Sequence, residues 1–130
     1  MDTKELGNFG ESIACEYLVK MGYKILGRNY RIILGEIDII AKKKWRLFRN
    51  EKTIHFVEVK TIMSSDGFFP EERVDYKKQR KLRQLVQIWL KKNKFAQDYP
   101  CQIDIIGILI DPDTLAPSIH YFENVVEGAW

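Results

Sequence analysis

Glu36, Asp38, Glu58 and Lys60 are the residues of this chain whose types and spacing are suited to chemistry. They lie in two runs, Gly35-Glu36-Ile37-Asp38-Ile39-Ile40-Ala41 and Ile54-His55-Phe56-Val57-Glu58-Val59-Lys60, that read as β-strands because Ile and Val dominate them. Alternate residues of a strand share a face, so Glu36 points with Asp38, and Phe56, Glu58 and Lys60 point together. Two such strands side by side bring two or three carboxylates and one ammonium into a small space. Buried charge is costly unless it is paired or binds a metal, so this gathering needs a reason. Hydrolysis of a phosphodiester offers one. It places negative charge on phosphoryl oxygens, which a hard cation held by carboxylates can neutralise while activating water. A lysine beside the site orients or deprotonates the water, or stabilises the developing charge, and the sequence leaves both roles open. The competing reading is a buried Glu58–Lys60 or Asp38–Lys60 ion pair without catalysis.

The elements that must position these groups follow from periodicity. Ala14, Tyr17, Leu18 and Met21 recur at helical spacings and predict a helix from about Lys4 to Met21, ended by Gly22. Glu11 lies seven residues before Leu18, about 20° away at roughly 100° per residue, and so projects along the apolar stripe, whereas Glu16 faces away. Asn8 and Glu11 also have capping-box spacing. On that reading Glu11 only closes the first turn of a late-starting helix, while Asp2 and Glu5 offer the same box for an early one. Strands are expected at Tyr23 to Tyr30, with Gly27 a candidate bulge, at Gly35 to Ala41 and at Ile54 to Lys60. Thr61 to Arg73 reads as a polar loop where substrate contacts would sit. Asp75 is the expected cap of a long amphipathic helix with the stripe Leu82, Leu85, Val86, Trp89. A strand at Gln102 to Ile110 and a short edge strand at Ile119 to Phe122 complete the order.

With 130 residues, 45% hydrophobic, the chain is expected to form one domain with its own core. A formal charge of +3 permits an anionic partner without arguing for one. Its distribution is more informative. Lys42, Lys43, Lys44, Arg46, Arg49 and Lys52 surround Trp45 and Phe48, which suits either a solvated hairpin connection or contact with a phosphate backbone and stacked bases. The second helix carries Lys77, Arg80, Lys81, Arg83, Lys91 and Lys92 opposite its apolar stripe, as a solubilising or a nucleic-acid-binding side. Cys15 and Cys101 are too few and too far apart for a disulfide framework or a zinc site. No apolar signal region or membrane-length run occurs, so a soluble cytoplasmic protein with no membrane partner is expected. His55, His120 and Asp104 read as structural.

Helix, three strands, helix, strand, with Gly10-Glu11, Asn29-Tyr30-Arg31, Gly35-Glu36-Ile37-Asp38, Val57-Glu58-Val59-Lys60 and the Pro70/Glu72/Val74 region, resembles the YraN-type bacterial family. That family belongs to the PD-(D/E)xK nuclease superfamily and is related to archaeal Holliday-junction resolvases. The resemblance spans roughly Gly7 to Ile110. It implies an α/β, restriction-endonuclease-like core of αβββαβ order, with a mixed central sheet flanked by helices. It implies that Asp38 and Glu58 hold Mg²⁺ or Mn²⁺ with the Val59 carbonyl, that Lys60 is the motif lysine, and that Glu11 is the helix-1 carboxylate of the resolvase-like branch. Ile37 stands where the motif has Pro, and Glu36, which has no fixed motif role, is kept as a candidate ligand. The expected activity is metal-dependent endonucleolytic hydrolysis of structured, branched DNA, with RNA left open as a partner. Lys42, Lys43, Lys44, Arg46, Lys77, Arg80 and Lys81 are the expected nucleic-acid contacts. Junction resolution needs two symmetric incisions and so adds a homodimer. A nucleic-acid-binding module that does not cut, and an interaction protein without a nucleic-acid role, are the alternatives.

Overall fold

The computed structural model describes residues 1–44, 52–65 and 79–125. Among the described residues seven elements follow one another as α1 (Thr3–Lys20), β1 (Tyr23–Ile32), β2 (Gly35–Lys43), β3 (Ile54–Met63), α2 (Gln79–Lys92), β4 (Cys101–Ile110) and β5 (Pro117–Phe122). Helix α1 starts early. Asp2 is its cap and accepts a hydrogen bond from the Glu5 backbone N–H at 2.8 Å, so Glu11 lies well inside the helix and does not close its first turn.

The five strands form one sheet in sequence order, β1 to β5. All neighbours are antiparallel except β3 and β4, which run parallel across the connection that contains α2. The fold is thus α/β with the mixed, restriction-endonuclease-like sheet expected, and β5 adds an edge strand after the αβββαβ core. Each face of the sheet has its own helix. Ala14, Cys15 and Leu18 of α1 pack with Ile39, Ala41, Val57, Ile106 and Ile108. Leu82, Leu85, Val86, Trp89 and Leu90 of α2 pack with Ile37, Ile40, Ile54, Phe56 and Ile103. Strands β3 and β4 are therefore apolar on both sides, as buried parallel strands are.

Several boundaries differ from those expected. Thr61 to Met63 continue β3, because β4 pairs with them in parallel as far as Met63↔Ile110, and the polar segment begins only at Ser64. Lys42 and Lys43 extend β2, since Tyr23 and Lys24 of β1 offer them partners. Charge hid the extension through Lys42 and Lys43, and in both places pairing with the neighbouring strand decided the end. The register does shift between Ile25 and Gly27, where a bulge was expected. Asp75, the Pro70/Glu72/Val74 region, Trp45, Phe48, Arg49 and the expected contacts Arg46 and Lys77 lie outside the described residues. No helix among the described residues is long and apolar enough to cross a membrane.

Candidate metal centre

The ladder between β2 and β3 runs from Lys42↔Ile54 to Ile39↔Val57 and stops there. Immediately past the last pair stand Asp38 on β2 and Glu58 on β3. The next free backbone donor, the Val59 N–H, is taken by Asp38 Oδ2 at 2.8 Å. A side chain thus replaces the missing ladder bond, which satisfies the amide and points the carboxylate into the fork between the strands. The fork opens into a cleft of about 510 Å³, whose walls include Glu11 of α1, Glu36 and Asp38 of β2, Glu58 and Lys60 of β3 and Lys81 of α2. Four residues expected to act together from distant parts of the chain, Glu11, Asp38, Glu58 and Lys60, line one space.

Helix α1 reaches this space through Gly10. A Cβ built on Gly10 would lie 1.8 Å from Thr61 Oγ1 and 2.8 Å from Thr61 Cβ, so the helix backbone rests directly on β3 next to Lys60. That close seat carries the neighbouring Glu11 carboxylate into the cleft.

The electrostatics are those of a crowded acidic site. Burial pushes the Asp38 carboxyl up to about 7, against the lowering effect of the Val59 hydrogen bond, and the charges of Glu11, Glu58 and Glu36 push the same way. Burial also raises the Glu11 carboxyl. Arg28 opposes that shift, Glu36 adds to it and Arg31 opposes it. Lys60 Nζ lies 3.1 Å from Glu58 Oε1, so the ion pair weighed at the sequence level is present, within the acidic cluster. It leaves two oxygens unanswered. Glu11 Oε1 and Glu58 Oε2 are buried and have no hydrogen-bond partner. Buried carboxylate oxygens are normally satisfied, and these two face a cleft that also holds Asp38. An all-oxygen donor set of this kind fits Mg²⁺ or Mn²⁺, hard ions that take carboxylates and keep some waters.

The other expected contacts fall in different places. Lys81 lines the cleft, and Arg80 is exposed on α2 beside it in sequence. Lys42, Lys43 and Lys44 lie toward the opposite end of β2, with Lys43 about 17 Å from Asp38 at about 3.3 Å per residue, and Lys43 Nζ sits 5.6 Å from the centre of the Tyr23 ring. Glu36 is held at the rim by Arg31, with Nε to Oε2 at 2.9 Å. Arg28 was not singled out from the sequence, and Gly10 and Arg31 were noted only as parts of the motif segments, without a role. The signal for Arg31 was there: a two-residue turn after Ile32 places Arg31 directly opposite Glu36, an opposite-charge cross-strand pair.

Asp104 and His55, read as structural from the sequence, form a separate buried cluster. Asp104 is fully buried and accepts from Gln102 Nε2, the Asn124 N–H and Tyr121 Oη, while His55 Nδ1 lies 2.6 Å from its Oδ2. Burial alone would raise this carboxyl. The bonds from His55, Asn124, Tyr121 and Gln102 outweigh burial and hold it below the usual range. None of these residues is part of the cleft wall.

Comparison with known proteins agrees with the motif pattern. The model of "Uncharacterised protein family UPF0102" matches residues 10–108. A UPF0102 protein of Caldanaerobacter subterraneus subsp. tengcongensis is 41% identical over 115 residues, 88% of each chain. One from Caldicellulosiruptor bescii is 40% identical over 124 residues, covering 95% of this chain and 98% of the relative. Among solved structures, Pyrococcus furiosus SfsA in complex with Ca²⁺ is 19% identical and matches 97% of this chain and 65% of that one. Its TM-score of 0.37 is too low to carry an argument.

Proposed function

The chain belongs to the UPF0102 family, the YraN-type family its motifs resemble, and from that footing we infer that it is a metal-dependent endonuclease acting on structured DNA. One observation carries the reading: Glu11 Oε1 and Glu58 Oε2 are buried without partners in a cleft that also gathers Asp38 and Lys60. A fold that needed only an ion pair would not strand two carboxylate oxygens beside it. Glu11, Asp38 and Glu58, with the Val59 carbonyl, are the groups that would hold Mg²⁺ or Mn²⁺. When bound, such an ion neutralises charge on the transferring phosphoryl group and lowers the pKa of a water.

The chain's own residues supply the rest. Asp38, locked to the Val59 N–H, keeps its orientation while a substrate enters. Lys60 offers a positive charge on the strand that carries Glu58, positioned to steady a phosphoryl oxygen as it gains charge or to orient the attacking water. Lys81, on the cleft wall from α2, suits a neighbouring backbone phosphate, and Arg80 extends the positive surface outward. A version acting on four-way junctions would work as a twofold dimer, because the two incisions are symmetric.

The test is cleavage of supercoiled plasmid and of a synthetic four-way junction with Mg²⁺ or Mn²⁺, with Asp38→Ala and Lys60→Ala proteins in parallel. Wild-type nicking that both variants lose is the expected result. If wild-type protein cuts nothing beyond what the variants cut, the enzymatic reading is lost. Salt-sensitive binding would then point to a DNA-binding module. Sedimentation showing only monomer with junction bound would remove the resolvase version alone.

A further inference from the structure

Glycine inside a helix weakens it relative to alanine, so a helical glycine needs a reason. Gly10 has one in its close seat on Thr61. Gly7 has none within the chain's own packing. It lies inside α1 and is not among the glycines with positive φ, and no atom among the described residues comes within 4 Å of where its Cβ would stand. Alanine would fit there and strengthen the helix. Yet Gly7 belongs to the wall of the acidic cleft, four residues before Glu11. A stretch of bare helix backbone facing open space in a cleft leaves room for a ligand to pass close to it.

The place of Gly7 in the cleft selects what passes. Four residues of α-helix advance about 6 Å, so Gly7 lies about one turn from Glu11 on the same side of α1. On the nuclease reading an ion at Glu11, Asp38 and Glu58 takes the scissile phosphate, and about 6 Å is less than two steps of about 3.4 Å along one DNA strand. Whatever lies over Gly7 is therefore part of a nucleotide next to that phosphate. The wall limits which part. The Gly7 N–H and carbonyl are spent on the hydrogen bonds of the helix, and Leu6 beside it on the wall is apolar. A surface with neither a free donor nor a charge suits the C–H face of a sugar better than a phosphate, for which Lys81 stands on the α2 wall. We propose that Gly7 is a specificity-determining gap in α1, against which the deoxyribose of the nucleotide adjoining the scissile phosphate packs. This rests on the nuclease reading and gives its substrate a path, with the cut strand running along α1 past Gly7 to the ion. A side chain at position 7 would narrow that path without touching a metal ligand.

The experiment compares full-length Gly7→Ala and Gly7→Leu proteins with the parent, each carrying Lys60→Met to slow cleavage while the metal ligands stay intact. Three readouts separate a substrate contact from a structural role: melting temperature, Mn²⁺ affinity by calorimetry, and the Kd for a synthetic four-way junction in Mn²⁺. Gly7→Ala should raise the melting temperature by up to about 4 °C, because alanine favours the helix and meets nothing. The same substitution should weaken junction binding about threefold, and Gly7→Leu about tenfold or more, as added bulk in a filled space does. Mn²⁺ affinity should stay within about twofold throughout, which excludes misfolding. Gly7→Leu protein with the parent's junction affinity overturns the gap and leaves the nuclease reading standing. A lowered melting temperature in Gly7→Ala also overturns it, because the chain itself would then occupy the space. So does a change of oligomeric state in Gly7→Leu, in favour of a contact between copies. Graded loss of binding in a protein whose Lys60 form never cuts DNA would instead keep the contact at Gly7 and remove the nuclease.

Discussion

Gly10→Ala tests how the site is assembled, because it adds one methyl group and touches no charged residue. The new Cβ would lie 1.8 Å from Thr61 Oγ1 and 2.8 Å from Thr61 Cβ, where ordinary contact begins at 3.4 Å. Rotating Thr61 can move the hydroxyl and the methyl away but not its Cβ, which the backbone of β3 fixes. The helix must therefore retreat by at least about 0.6 Å, and by about 1.6 Å if Thr61 keeps its rotamer. Stability should change little: alanine gains up to about 1 kcal/mol of helix propensity over glycine, and overpacking costs about 1–3 kcal/mol. A net loss of about 0–2 kcal/mol leaves the protein folded at room temperature. The site is less tolerant, because ligand distances hold to about ±0.2 Å. Losing Glu11 should weaken Mn²⁺ binding about 10- to 100-fold and cleavage by about 10²-fold or more. Titration calorimetry reads the first effect. Carboxyl NMR of metal-free protein reads an independent one: withdrawal of the Glu11 charge should bring the Asp38 midpoint down from about 7. Thr61→Gly in the same chain removes all three clashing atoms and should restore both. Wild-type Mn²⁺ affinity and an unmoved Asp38 midpoint in folded Gly10→Ala protein would refute the reasoning.

The raised Asp38 carboxyl binds a proton in the folded state that the unfolded chain, near 3.8, has released. Metal-free stability should therefore fall as pH rises from about 4 to about 7 and level off above, with Mn²⁺ restoring it, as thermal melts across that range would record. Asp38→Asn should abolish Mn²⁺ binding and yet raise the melting temperature of metal-free protein at pH 8, because it removes an unfavourable buried charge. Lys60→Met should lower single-turnover cleavage by about 10²–10⁴-fold while Mn²⁺ affinity measured by calorimetry stays within about threefold, since Lys60 is no ligand. Asp104→Ala should cost about 3 kcal/mol or more in urea unfolding, because four donors lose one acceptor, with Mn²⁺ affinity of the remaining folded protein unchanged.

Element identity was legible in the sequence where local pattern and tertiary need agree. The Leu82, Leu85, Val86, Trp89 stripe is buried as its spacing demands, and Glu11, seven residues from Leu18, does lie along the buried side of α1. Element ends were less legible. Thr61 to Met63 look polar in part, but β4 runs beside them and completes their hydrogen bonds. No local property of β3 announces how far its neighbour reaches. The basic residues show the same division. Their sign could be read from the chain, but the fold places Lys81 on the cleft wall and Lys42 to Lys44 toward the far end of β2.

The acidic groups on two strands and a helix, with a lysine two residues after Glu58, could be read from the sequence by themselves, and residue type sets what such a site can ligate or neutralise. That Asp38 and Glu58 flank the point where β2 and β3 part was decided by register, as was the capture of the Val59 N–H by Asp38. The arrival of Glu11 depended on a close seat at Gly10 against a threonine fifty-one positions away in sequence. Strand alternation and helical phase are local and can be read along one chain. The convergence of Glu11, Asp38, Glu58 and Lys60 on one cleft is a property of packing between elements, and it is what turns four separate charges into a candidate metal centre.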